Sequence, residues 1–201
     1  VFLHACQSHY VRQMLHLLSP LRPRRPIPLT DYISDIFWKY RASMPPTLPK
    51  ENTIAINGVK DIISESLCKQ FGFKYIIIAN METTALLHTL SKTKIYLDFG
   101  YHPGKDRLPR EARIFDNVII TNRCGSAFFH EDVPTNDIFK FDSPSCDTDR
   151  FVTLIQDIFN HHSVYLEKQQ SYLEFIRSEK QMFIDEVLQL THTLEKHVAA
   201  S

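Results

Sequence analysis

From residue 50 onward, short apolar runs alternate with stretches in which apolar residues recur every three or four positions. Asn52–Ile56, Lys74–Ala79, Lys94–Phe99, Asn117–Thr121 and Ile138–Phe141 are largely apolar or β-branched, as strands covered on both faces require. Between them, Asp61–Phe71, Thr83–Ser91 and Pro109–Phe115 carry a helical period, and Gly72 stands where a left-handed residue would end the first of these helices. Asn57-Gly58 reads as the turn that closes the first strand of the series. Strand and helix in alternation predict an α/β fold: a Rossmann-like, doubly wound parallel sheet with helices on both faces.

The two ends of the chain read differently. Val1–Ala5 is a short apolar run, Gln7-Ser8-His9-Tyr10 follows, and Val11, Met14, Leu15, Leu17 and Leu18 then fall at helical spacing. That predicts strand, turn and helix, with Ser8 as N-cap. Residues 19–28 hold four prolines, which exclude a helix, and Arg22, Arg24 and Arg25 among them form a small basic surface patch. Thr30 or Asp31 is placed to cap a helix running to about Arg41, and Met44–Pro49 is a Pro-rich connector. At the other end, Asp147–Phe159 is one helix. A longer one from about Ser163 to Val198 carries Leu166, Leu173, Ile176, Phe183, Val187, Leu190 and Leu194 on a stripe. This long C-terminal helical extension either packs on the sheet domain or pairs with a second copy, a possible homo-oligomer. The organisation expected is therefore 1–49 as an N-terminal β-α segment with its connector, 50–145 as the Rossmann-like domain, and 146–201 as the helical extension.

Composition narrows the function classes. Hydrophobic residues at 43% and charged ones at 23% suit a folded chain rather than a disordered one. Lys+Arg and Asp+Glu both number 23, so the balance argues against a surface built to grip nucleic acid. No apolar run approaches the roughly 20 residues that span a bilayer. The four cysteines are scattered and form no CxxC pair, which fits a reducing compartment and a cytoplasmic location. The chain opens inside an apparent strand, as a piece of a longer polypeptide would.

The segment most suggestive of chemistry follows the strand Lys94–Phe99. Gly100 and Gly104 permit close backbone approach, Lys105, Arg107 and Arg110 can neutralise a dianion, and a helix begins near Pro109. An exposed loop entering a helix at the carboxyl edge of a parallel sheet is where such folds hold phosphates. Glu111, in the first turn of that helix, could accept hydrogen bonds from sugar hydroxyls. His102 lies in the same loop, and Gly58 and Lys60 close a neighbouring strand. Arg123, Gly125 and Ser126 follow the next strand and should share its edge, with Glu131 and Asp132 beyond them. His9, at the first strand-to-helix turn, is the one histidine with a conceivable acid–base position. His161, His162, His192 and His197 lack partners at ligand spacing, so no metal is expected. The ordinary alternative for all of this is a solvated loop whose charges pair locally.

The run Tyr96-Leu97-Asp98-Phe99-Gly100-Tyr101-His102-Pro103-Gly104-Lys105-Asp106-Arg107-Leu108-Pro109-Arg110-Glu111-Ala112, followed by Val118–Ala127 and Glu131–Pro134, resembles a group of bacterial glycosyltransferase-like proteins. Gln7–Tyr10 and Leu29–Ile33 look like earlier landmarks of the group, so the resemblance extends over most of residues 1–142. More distantly, the layout is similar to the C-terminal, donor-binding half of GT-B glycosyltransferases. The resemblance implies a nucleotide-sugar-binding role for 50–145, with Glu111 as the donor-contacting carboxylate, Lys105 and Arg110 facing the diphosphate, and Gly125-Ser126 beside it. It implies a nucleotide-diphosphate sugar as donor substrate, an unknown acceptor, no separate cofactor and no required metal. A second carboxylate of the donor motif has no counterpart here, Asn57–Lys60 matches the expected Gly-rich turn only loosely, and the acceptor half is reduced to a β-α remnant. A non-catalytic nucleotide or sugar-phosphate module is the competing expectation.

Overall fold

A computed structural model describes residues 4–18 and 26–199 of the chain. Five parallel strands form the main sheet in the order β4-β3-β5-β6-β7, comprising β3 (Glu51–Asn57), β4 (Tyr75–Ile78), β5 (Thr93–Asp98), β6 (Val118–Asn122) and β7 (Lys140–Phe141). The expected Rossmann-like α/β fold is therefore present. Side chains alternate strictly across the sheet. Ala55, Tyr96 and Ile119 point into one buried layer with α2 (Asp35–Ala42), α4 (Thr83–Lys92), α5 (Arg107–Ile114) and the start of α8 (Gln170–Ala199). Ile54, Ile56, Ile95, Leu97, Val118 and Ile120 point into the other, against α3 (Ile62–Phe71), α6 (Thr148–Asn160) and α7 (His162–Glu167). Among the described residues, no helix is long and apolar enough to cross a membrane.

The helix boundaries follow local chemistry. Asp61 caps α3 by accepting from the Ser64 amide at 2.9 Å, and Gly72 closes it at φ 68°. Ser8 caps α1 (His9–Leu18) through the Val11 amide at 3.1 Å, as expected. The opening strand is Ala5–Cys6 (β1), and Ile27–Pro28 (β2) pairs with it in parallel. Ile27 and Leu29 donate to His4 and Cys6, so Pro28, which has no N–H, falls at the register position that needs none. The arginine patch at 22–25 lies outside the described residues, as do residues 1–3 of the expected first strand.

Three expectations are corrected. The helix placed from Thr30 or Asp31 begins at Asp35 with Ser34 as cap, because Thr30 and Asp31 are engaged elsewhere: the Thr30 amide donates to Glu186 and Asp31 pairs with Arg110. The last strand shrinks to Lys140–Phe141, since Asp137–Phe139 forms a 3-10 turn. The long terminal helix is broken at 168–169 into α7 and α8. Gln169 is the cause: its buried amide accepts from the Ile119 N–H at 2.9 Å and donates to the Ile119 carbonyl at 2.7 Å. It thereby satisfies the edge of β6 where β7 is too short to reach.

The first half of α8 is locked down by charge. Glu179 is fully buried, with Oε1 2.9 Å from Lys105 Nζ and Oε2 2.9 Å from Arg110 Nη1. Arg110 also grips both oxygens of Asp31 at 2.9 Å and the carbonyls of Lys105 and Asp106. Burial pushes the Glu179 carboxyl up, opposed by Arg110 and Lys105; burial also works against the Arg110 cation, and Glu179 and Asp31 more than restore it. Beyond this lock α8 leaves the core, and Ile184, Leu188 and Leu194 are exposed. Glu179→Ala should destabilise the chain by roughly 3–5 kcal/mol in urea denaturation, because two buried cations lose their shared partner. Replacing Glu179, Arg110 and Lys105 together by Leu, Met and Met should cost clearly less, and a single-variant cost below about 1 kcal/mol would refute the lock.

Candidate functional site

β3 and β5 are neighbours whose helices leave toward opposite edges of the sheet, so the crevice beyond their carboxyl ends is the topological switch point. Two buried aspartates shape it. Asp98, at the end of β5, accepts from Asn57 Nδ2 at 2.9 Å, the Tyr96 hydroxyl at 3.0 Å and the Gly100 amide at 3.1 Å. Asp61 takes the Phe99 amide at 2.7 Å besides capping α3. Above them, His102 Nδ1 lies 2.6 Å from Asp106, and the Lys60 ammonium bonds Asp106 while standing 3.5 Å from Asp98. Asp98, His102 and Asp106 offer ligand atoms within 4.8 Å of one another, a grouping suited to a cation. The Lys60 ammonium already supplies a positive charge there.

The glycine-bearing loops are tied to each other. The Ser126 amide donates to the His102 carbonyl at 2.9 Å and its hydroxyl to the Gly104 carbonyl at 2.5 Å. Gly125 sits at φ 63°, and a Cβ there would lie 1.9 Å from the His102 oxygen. Gly58 donates to Ile78 at 2.9 Å, and a Cβ on Gly100 would strike the Lys60 side chain. The N–H groups of Gly58, Gly100 and Ser126 are thus spent inside the fold, not left facing a ligand.

The cations correct the expected diphosphate cradle. Arg110 is enclosed by Asp31 and Glu179, so its charge is used within the protein. Lys105 meets Glu179 and the Thr30 hydroxyl at 2.7 Å, keeping only an edge on a cavity. Glu111 is buried, its carboxyl raised by that burial against the pull of Arg107 and Arg110, and its partner Arg107 is 3.2 Å away. Arg107 remains 58% exposed beside a shallow groove with Asp31, Tyr32, Ser34 and Asp35. Arg123 turns outward to Asp137 and Asp142, at 3.0 and 3.2 Å.

What the loops do enclose is a cavity of about 220 Å³ between the two sheets. Its walls follow the carboxyl ends of four strands: Gln7, Ser8 and His9 after β1, Thr30 after β2, Lys105 after β5, and Glu131 and Asp132 after β6. Phe175, Met182 and Glu186 of α8 close one side. Asp132 fixes the gap by accepting from the first amides of α1, His9 at 2.7 Å and Tyr10 at 2.9 Å. His9 Nε2 is 3.0 Å from the Gln13 amide nitrogen and 3.9 Å from Glu131. Arg12, on the same wall, has a buried Nε without a hydrogen-bond partner among the described residues. Neither Arg12, the capping role of Asp132 nor the part of Glu179 is evident from the sequence; Arg12 stands one turn beyond Ser8 and Asp132 within the suspected loop, while Glu179 has no such neighbour.

No protein-family model matches this chain and no curated protein matches it.

Asp106 offers a pH test of the crevice. Burial raises its carboxyl, but hydrogen bonds from His102 and Lys60 outweigh that and hold it below the ordinary carboxylate range. A carboxyl depressed in the folded state adds stability above its unfolded pKa and surrenders it as pH falls through the folded one. Asp106→Asn should therefore cost about 1–3 kcal/mol in urea denaturation at pH 7. The gap from wild type should close as pH drops below about 4; a gap constant from neutral to acid pH would contradict the assignment.

Proposed function

We propose that the chain is the donor-binding part of a GT-B-like glycosyltransferase, moving a sugar from a nucleotide-diphosphate donor to an acceptor. The observation that carries this reading is the cavity between two parallel sheets whose carboxyl edges both supply its walls. Ligands of doubly wound folds lie at such edges, and a transfer reaction needs two substrates brought together there. The resemblance of residues 96–112, 118–127 and 131–134 to glycosyltransferase-like proteins supports the same conclusion.

The geometry reassigns the roles. With Lys105 and Arg110 committed to Glu179, Arg12 becomes the cation available to a phosphoryl group in the cavity. Asp106 occupies the N-cap position of α5 but turns its carboxylate to His102 and Lys60, so the opening amides of that helix carry no side-chain cap. His9 is the candidate base, and its tie to Gln13 must loosen before Nε2 can accept a proton.

A second reading, a non-catalytic nucleotide or sugar-phosphate module, is favoured by one fact: the cations expected to stabilise a leaving diphosphate are largely neutralised within the fold. Calorimetry with a panel of UDP- and GDP-sugars, combined with an assay for released nucleotide, separates the two. Wild type should bind at least one donor and release nucleotide from it. Arg12→Gln should weaken binding tenfold or more, about 1.4 kcal/mol, with an unchanged thermal midpoint. Binding without release would favour the module, and no binding across the panel would end the transferase reading.

A further inference from the structure

Beside the cavity, four aromatic side chains from three parts of the chain converge. Tyr10 comes from α1, Tyr101 from the loop after β5, and Phe128 and Phe129 from the end of the 3-10 turn after β6. Tyr10 meets Tyr101 edge-on, with centroids 6.4 Å apart at 83°, and the two hydroxyls are 2.5 Å apart. Tyr10 and Phe129 lie 6.1 Å apart at 43°, Phe128 and Phe129 5.2 Å apart at 78°. His9, a wall of the cavity, tilts over Phe129 at 5.0 Å, which sets this aromatic cup beside the cavity.

Core packing does not account for this cluster. Tyr101 is 52% exposed and Phe128 60%, and neither belongs to the two buried layers. The loops that carry them are anchored by other groups: Asp98 holds the Gly100 amide, Ser126 the Gly104 carbonyl, and Asp132 the start of α1. Exposed aromatic surface gathered from distant segments at the mouth of a cavity marks a binding surface.

The shape and the rim select the ligand. The contacting rings are inclined at 43° to 83°, with no parallel pair among them to sandwich a flat base. Around its edge stand the two phenol hydroxyls, His9 and the Glu131 carboxylate, 59% exposed, all able to bond hydroxyl groups. A pyranose ring has the complementary form: C–H bonds for the aromatic faces and hydroxyls at the perimeter. An acidic rim disfavours an anionic sugar. We infer that this cup is the acceptor subsite and takes a neutral hexopyranose, an inference that rests on the glycosyl-transfer reading. His9 then lies between the acceptor in the cup and the donor in the cavity.

Saturation-transfer NMR on the full chain, with methyl glucosides, galactosides and mannosides as probes, tests this. At least one glycoside should receive saturation on its ring C–H protons. Tyr101→Ala and Phe128→Ala, both at exposed positions, should each raise its dissociation constant tenfold or more while leaving nucleotide-sugar affinity unchanged. Melting curves of both variants should match wild type, and Tyr10→Phe, which removes only a hydroxyl, should weaken binding with the rings intact. No glycoside signal, or signals untouched by all three variants, would overturn the inference. So would loss of nucleotide affinity in Tyr101→Ala with glycoside binding retained, which would make the cup a nucleobase site. A chain that binds donors but no glycoside refutes this inference alone; one that binds glycosides but no donor refutes the transferase reading and leaves the cup as a sugar site.

Discussion

A carboxylate with no access to water holds this protein in one shape. Glu179 reaches from the C-terminal helix between Lys105 and Arg110, and Arg110 carries the connection on to Asp31. One ion cluster thus joins the loop after the central strand, the segment before α2 and α8. Buried charges are expensive to desolvate, so such a cluster is tolerated only when nearly every donor is used. Arg110 meets this condition with two carboxylates and two carbonyls. The cluster joins α8 to the loop after β5, and it holds Lys105 where that residue forms part of the cavity wall.

Around that lock, the carboxyl edge of the sheet is organised by acids that accept backbone amides. Asp61, Asp98 and Asp132 each hold the start of a helix or a loop that would otherwise need water. With the edge so tied, Arg12 on the cavity wall keeps a buried Nε that no described residue bonds. The crossover from β6 to β7 contributes as well. It contains only 3-10 turns where an α-helix is usual, and its free length carries Phe128, Phe129, Glu131 and Asp132 to the mouth.

The layered core was readable in the amino-acid order because each strand from β3 to β6 is apolar on both faces and each crossover helix has its own stripe and stop. Gly72 and Asp61 did at α3 what their chemistry demands. Boundaries slipped where a distant residue claimed a local group. Thr30 and Asp31 could not cap α2 because Glu186 and Arg110 had taken them, and α7 ended early because Gln169 was drawn to Ile119. The candidate site was legible in location and not in wiring. Lys105 and Arg110 belong to the expected loop, but their charge is answered by a helix some 70 residues later, a pairing with no local trace, whereas Glu111 pairs locally with Arg107. The aromatic cup was equally invisible, since its members meet only once β1, β5 and β6 are in place.

The grip of Asp132 on the first turn of α1 has a consequence for how the chain reaches this state. Two hydrogen bonds span 123 and 122 residues, so the start of α1 gains this anchor only once the chain through β6 is in place. Closing a loop of that size is slow relative to local helix and hairpin steps. Docking of the β1-α1 unit should therefore come after the local contacts of the sheet and its helices have formed.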